Sequence, residues 1–341
     1  MKALHHLALA TTLVAAAGAH HRADACVVGN VAEVITYFQD SQPFGTTDDR
    51  CDFTGQCRLQ GWLIKPATGN NLPAIVLLHG SGDLGDDKQE LGEFCEAENW
   101  FVDRGYVVFM PFRRGVRDIT PSSRPGAGFQ NTGLALADFV NDVKENDTTY
   151  ENDFWSSVYM QEETNDIQNA ITTLVGRARN GAPLVNKNRI AIMGHSYGGA
   201  IAALASNVSY VPLPRAVVSL SGAAMSWHES TVWHDDLDFA VEFHQEPIFF
   251  QRVLNEAPPP LVDFASANDQ FNAASSGWGT GEVARARWPS ITPSADYQHA
   301  CDTASPPTPE FHCVHGSFVQ EKQNVDIWIG DVHDFLTRHG V

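Results

Sequence analysis

The pentapeptide Gly194-His195-Ser196-Tyr197-Gly198 places a serine between glycines two residues before and two after it. The apolar run Arg189-Ile190-Ala191-Ile192-Met193 precedes it and the small-residue stretch Gly199-Ala200-Ile201-Ala202-Ala203 follows, which reads as strand, sharp turn and helix. A serine at the apex of such a turn is held in a strained conformation with its hydroxyl above the sheet edge, and the glycines let strand and helix approach without Cβ clashes. The chemistry open to it is nucleophilic attack on an acyl carbon. A neutral hydroxyl does this only when a base takes its proton and donors stabilise the oxyanion that forms.

Three further parts are therefore required, and each has candidates. Ala74-Ile75-Val76-Leu77-Leu78 reads as a buried parallel strand running into His79-Gly80-Ser81-Gly82. Glycines there leave backbone N–H groups unobstructed, so the Ser81 N–H is expected to be one oxyanion donor and the Tyr197 N–H the other. His79 lies on the donor side of the site and is expected to support the loop rather than act as the base.

In this class of arrangement the acid and the histidine follow the serine in chain order, each after a later strand. Pro260-Leu261-Val262-Asp263-Phe264-Ala265 reads as a strand that empties into Ser266-Ala267-Asn268-Asp269, which favours Asp269 as the acid over Asp263, inside the apolar run. Phe311-His312-Cys313-Val314-His315-Gly316 reads as the last strand and the loop leaving it. His315, nearer that loop, is preferred over His312 as the base. His299, His333 and His339 read as surface or helix residues.

The motifs Leu77-Leu78-His79-Gly80-Ser81-Gly82, Gly105-Tyr106-Val107-Val108-Phe109, Arg113-Arg114-Gly115, Gly194 to Gly199, Ala267-Asn268-Asp269 and His315-Gly316-Ser317-Phe318 occur in that order. In this the chain resembles the dienelactone hydrolase-like branch of the α/β-hydrolase superfamily over about residues 58 to 341. The resemblance implies an α/β fold, a mostly parallel sheet flanked by helices, and a Ser/Cys-His-Asp hydrolase of esters, lactones or related acyl compounds. With Ser196 as nucleophile the expected activity is that of a serine carboxylic-ester hydrolase that needs no cofactor. Dienelactone hydrolases proper use a cysteine nucleophile, whereas this chain has Ser196.

Lys2 followed by the apolar stretch Leu7 to Ala19, too short to span a bilayer, reads as a signal peptide. Cleavage is expected after Ala25, with Ala19 as the alternative, leaving a single domain over 26–341 that is secreted or periplasmic. Cys26 could also mark a lipid-modified N-terminus, but Ala23-Asp24-Ala25 lacks the usual large aliphatic residue and carries an aspartate. All six cysteines lie beyond the leader, an even number in an exported chain, which points to disulfides. Short loop closure favours Cys51 with Cys57 and Cys301 with Cys313, leaving Cys26 with Cys95; for Cys95 the alternative is a buried free thiol.

With 22 basic and 41 acidic residues, a formal net charge of −19, the chain is unsuited to nucleic acid or an anionic membrane surface. No later segment is long and apolar enough for a membrane helix, and a small ester or acyl compound is the expected partner. No Cys/His spacing fits zinc, and His228, His234 and His244 with Asp235 and Asp236 are too irregularly spaced for a metal set.

The remaining elements must position these groups. Alternation of strand and helix patterns calls for a parallel sheet, with helices over Glu90–Arg104, around Ile167–Ala178 and from Val325 to Leu336, and strands at Tyr106–Met110 and Arg215–Leu220. Two stretches, 116–157 and 223–258, exceed what a connection needs and are expected to be cap-like insertions. Their aromatics, Phe139, Tyr150, Phe154, Trp155, Trp227, Trp233, Phe249 and Phe250, could line a pocket or simply pack.

Overall fold

The computed structural model describes residues 31–39, 57–80, 88–89, 94–113, 117–118, 158–205, 211–220, 248–253, 283–288, 292–303 and 310–341. Its main sheet has eight strands: β1 (Val31–Gln39), β2 (Cys57–Lys65), β3 (Leu72–Leu78), β4 (Val107–Pro111), β5 (Val185–His195), β6 (Ala216–Leu220), β7 (Ile248–Val253) and β8 (Val283–Trp288). They lie in the order β1-β2-β4-β3-β5-β6-β7-β8. The β1–β2 and β2–β4 pairs are antiparallel and every later pair is parallel. Six helices are used below: α1 (Cys95–Val102), α2 (Val158–Gly176), α3 (Tyr197–Ala205), α4 (Ala295–Thr303), α5 (Glu310–Gln320) and α6 (Lys322–Arg338).

The central strands read as continuous apolar runs because both of their faces are covered. Ile75 and Leu77 of β3, with Ala191 and Met193 of β5, join a cluster containing Phe94, Phe101, Phe318, Trp328, Val332 and Phe335 from the α1, α5 and α6 side. The alternate residues Ala74, Val76, Ile190 and Ile192 are equally buried, as the two-residue period of a strand requires on the opposite face, where α2 and α3 pack. Pro73, which has no N–H to give a ladder, falls where the β3–β5 register shifts between Leu72 and Ala74.

Helix boundaries have local causes. Beyond α1 the chain turns at Gly105 with φ +89°, where the Gly105 N–H donates to the Val102 carbonyl and the Tyr106 N–H reaches back to that of Phe101. That is a Schellman ending, and only glycine adopts its left-handed residue without a Cβ penalty. The chain then enters β4 directly. Helix α6 buries Val325, Trp328, Ile329, Val332, Phe335 and Leu336 at helical spacing, and the Trp328 indole N–H donates to the Phe318 carbonyl at 3.1 Å, fastening α6 to α5. At the other end of the sheet Glu33 of β1 bonds both Lys65 of β2 and Arg177 just beyond α2.

Several expectations are corrected. The segment read as a final strand, Phe311–Gly316, is helical and lies in α5. Its alternating apolar residues are equally compatible with a helix, and the bridge between Cys313 and Cys301 of α4 holds it against another helix. Phe249 and Phe250 belong to β7, paired in parallel with β6, and not to an insertion. Strands β1, β2 and β8 and helix α4 have no counterpart in the sequence reading. The short helix α1 replaces the longer one foreseen, with residues 90–93 outside the described part. In the other long stretch, Arg117–Asp118 pairs with Lys88–Gln89, while the remaining insertion residues and the segment 260–265 lie outside the described residues.

Replacing Trp328, which has no exposed surface, by alanine should cost about 3–5 kcal/mol of stability through the cavity left behind. Ile327→Ala, on the outer face at 36% exposure, should change stability by about 0.5 kcal/mol or less. Urea unfolding of both variants checks the contrast.

Candidate active site

Ser196 lies between the last residue of β5 and the first of α3, and its φ is +56°. A residue with a Cβ enters this left-handed region at a cost of roughly 1–2 kcal/mol, so surrounding contacts must impose it. They are visible. The Ser196 N–H donates to the Leu220 carbonyl at the end of β6 at 3.0 Å, and the buried Ser219 hydroxyl donates to the Gly199 carbonyl in the first turn of α3 at 2.9 Å. Both bonds tie the turn to the neighbouring strand.

The flanking glycines are steric necessities. A Cβ on Gly194 would come within 2.0 Å of the Gly198 carbonyl oxygen, and one on Gly198 within 2.3 Å and 2.5 Å of the Leu78 and His79 carbonyl oxygens. Helix α3 thus starts in direct contact with the end of β3. This closeness sets the Tyr197 N–H, at the first position of α3, beside the loop that begins at His79-Gly80. The first N–H groups of a helix have no partner within it and point forward along its axis, a ready-made anion site.

The loop after β3 is itself held. His79 is buried, and its Nε2 accepts the backbone N–H of Arg113 at 3.3 Å, which leaves the ring proton on Nδ1 to donate to the Gly80 carbonyl at 2.9 Å. The Arg113 guanidinium donates to the same carbonyl through Nη2. This agrees with a supporting role for His79. His195, next to the serine, is buried on the opposite face of the sheet between Phe94, just before α1, and Phe318 of α5, with ring centroids 5.9 Å and 6.1 Å away.

The residues expected to complete the site are distributed as follows. Ser196 and Tyr197 occupy the turn and the helix start; His315 and His312 are in α5, three residues apart in one helix. Phe318, one turn beyond His315, touches the His195 ring, so α5 packs beside the strand that carries the serine. Ser81, Asp269 and Asp263 lie outside the described residues, the two aspartates in the connection between β7 and β8. Cys301 and Cys313 are bridged. Cys95 is also in a disulfide, so it is not the free thiol weighed above; Cys26 and Cys51 lie outside the described residues, and Cys57 opens β2. His228, His234 and His244 are outside as well, and no group of three or more potential metal ligands occurs among the described residues. Sequence reasoning overlooked the buried Glu163 and Asp166 of α2 and gave Arg113 no role, although an acidic pair three apart on an otherwise apolar helix face was a usable signal.

Gly198→Ala should disable the site, because the added methyl meets two backbone carbonyls that cannot swing away. Loss of reactivity toward a fluorophosphonate, with circular dichroism showing whether the sheet survives, is the measurement. Gly105→Ala, remote from Ser196, should cost only about 1–2 kcal/mol of stability and spare that reactivity.

A sequence profile described as the alpha/beta hydrolase family matches residues 75–328. None of the curated protein sequences matches closely enough to be called a relative. Among solved structures the chain is similar to Pyrococcus horikoshii acylaminoacyl peptidase, at TM-score 0.52 and 15% identity, covering 91% of this chain and 41% of that one. It therefore spans about two fifths of the peptidase's length. It is also similar to Thermogutta terrifontis esterase 2 (TM-score 0.51, 13% identity, 92% and 95% covered) and to a ferulic acid esterase from Streptomyces cinnamoneus (TM-score 0.52, 13% identity, 92% and 90% covered). At such identities these likenesses establish the fold alone. Together with the profile match over well above half the chain, the strand order and the strained serine turn, they make this protein a member of the alpha/beta hydrolase family.

Proposed function

We propose that this chain is a serine hydrolase that cleaves carboxylic esters through an acyl-enzyme. The observation that carries the reading is the left-handed φ of Ser196 at a strand-to-helix turn whose flanking glycines admit no Cβ. Ser196 attacks the acyl carbon while His315 takes its proton and later delivers it to the leaving alcohol. Asp269 orients the imidazole and stabilises its charged form, and the N–H groups of Ser81 and Tyr197 bind the oxyanion. Water then repeats the attack, His315 again acting as base. No metal or redox group is needed for these steps.

Two further facts support the triad. The connection between β7 and β8 carries both aspartates, and α5 follows β8, so serine, acid and histidine come in the chain order usual for this fold. Helix α5 packs against His195 through Phe318, one turn from His315. The similarity to two esterase structures favours esters; the similarity to an acylaminoacyl peptidase favours a second reading, an amidase or peptidase with the same groups. Turnover of p-nitrophenyl esters against aminoacyl p-nitroanilides separates them. Export of the protein, with its leader removed, is part of the same proposal and is supported by the Cys301–Cys313 bridge, since such bonds persist in oxidising compartments.

Ser196→Ala should abolish fluorophosphonate labelling and lower ester turnover by about 10⁴-fold or more. His315→Ala should lose several orders of magnitude in kcat and His312→Ala far less, and Asp269→Ala should lose more than Asp263→Ala. A reversed order within either pair would reassign that member. Reduction should lower activity before it unfolds the protein, because the bridge holds α5 two residues before His315. A displacement of about 1 Å at the base costs on the order of a hundredfold in rate. Comparing the midpoints of activity loss and of unfolding against dithiothreitol concentration is the check.

A further inference from the structure

Strand β6 buries Ala216, Val217, Val218 and Leu220, and among them a single hydroxyl, that of Ser219. Val218 and Leu220 join the cluster on the α1, α5 and α6 side, so by the two-residue period of a strand Ser219 faces the other way, toward α3. Taking a hydroxyl out of water is costly unless it is hydrogen-bonded, and alanine would fill the same place without that cost. Ser219 meets the requirement by donating to the Gly199 carbonyl at 2.9 Å. That carbonyl lies in the first turn of α3 and has the N–H four residues on as its helical partner, so the bond rescues no orphaned group. What it adds is a fixed distance between β6 and the start of α3.

The four residues from Ser196 to Gly199 are thereby pinned to β6 at both ends. The Ser196 N–H donates to the Leu220 carbonyl at 3.0 Å, and the Ser219 hydroxyl holds Gly199. On the other side of β5 the Leu78 and His79 carbonyls leave no room for a Cβ on Gly198. That contact limits only how close the turn may come to β3, whereas a hydrogen bond sets both a distance and a direction. Ser196 needs such a hold, because its φ of +56° is one that a residue with a Cβ leaves when its surroundings relax. We infer that Ser219 is a positioning residue for Ser196, acting through Gly199 and the first turn of α3. The inference rests on the reading of Ser196 as nucleophile. A hydroxyl that sets the geometry of attack acts on the chemical step and leaves reversible binding nearly unchanged.

The test uses the full chain with Ser219→Ala and Ser219→Thr and, as probe, diethyl p-nitrophenyl phosphate, which releases one p-nitrophenolate for each serine it modifies. The size of the burst counts competent sites, and its dependence on probe concentration separates the reversible constant KI from the covalent rate constant. For Ser219→Ala the covalent rate constant, and kcat/KM for p-nitrophenyl butyrate per counted site, should fall about 10- to 100-fold, with KI changed by less than about threefold. Ser219→Thr keeps the hydroxyl on a β-branched stem that suits a strand and should recover most of the loss. Gly105→Ala, remote from Ser196 and less stable than the parent, should keep both rates per counted site. If Ser219→Ala does not fold, Ser219→Cys, of nearly the same shape with only a weak S–H donor, takes its place with the same expectation. Unchanged rates per site in the alanine variant, a loss that threonine leaves untouched, or an equal loss in Gly105→Ala would make Ser219 a structural residue and overturn the inference. A burst that persists in Ser196→Ala is a different result, which would instead overturn the nucleophile reading beneath it.

Discussion

The contact between the first turn of α3 and the carbonyl end of β3 governs the rest of this molecule. Gly198 presses on the Leu78 and His79 carbonyls with no room for a methyl group, and Gly194 does the same to Gly198. Two backbones this close leave the residue between them little choice of dihedral, so Ser196 is pushed to positive φ. The cost, of the order of 1–2 kcal/mol, is small beside the burial of the surrounding strands, whose residues Ala74 to Leu78, Ile190 to His195 and Ala216 to Leu220 are all buried. Strain at one residue is thus sustained by packing at dozens. The same closeness places the start of a helix next to the end of β3 at His79.

Around that contact the polar groups form a chain of support in which each member is held by the next. Ser219 secures Gly199, Leu220 secures Ser196, and Arg113 secures both His79 and Gly80. These bonds join β4, β3, β5 and β6, four neighbours in the sheet, at the edge where parallel strands end. Parallel pairing is what brings their C-terminal ends to one side. The antiparallel pair β1 and β2 lies outside this set and serves the sheet as a margin, with Glu33 tying it to Lys65 and Arg177.

The serine turn was legible because its requirements are local: glycine at fixed offsets, an apolar strand before, small residues after. The same holds for β3, β6 and α6, whose apolar residues recur at strand or helix spacing. His315 was picked out by its neighbourhood to a glycine, yet its secondary structure was misread, since six residues of mixed polarity do not distinguish a two-residue from a 3.6-residue period. Phe249 and Phe250 looked like pocket aromatics for a similar reason: membership of β7 depends on β6 lying alongside, which no local pattern reveals. β8, Val-Ala-Arg-Ala-Arg-Trp, mixes small residues and arginines, so no apolar run marks it as a strand, and its pairing depends on β7 lying alongside. Arg113 stood in a recognised motif, but its service to Gly80 arises only when β4 and β3 become neighbours.

The strand order also bears on how the chain reaches this structure. The central pair β3–β5 joins residues 72–78 to residues 185–195, with β4 and α2 in between along the chain. During synthesis the first strands must wait for more than a hundred further residues before the partner on their other side emerges, and until then one flank of an all-apolar strand is uncovered. Pairings of such separation are slow to form, and exposed strand edges invite association with other chains. The serine turn comes into being only at the end of that wait, when β5 slots beside β3. The left-handed serine turn is therefore born with the completed centre of the sheet, and a chain caught earlier carries the turn's sequence without its geometry.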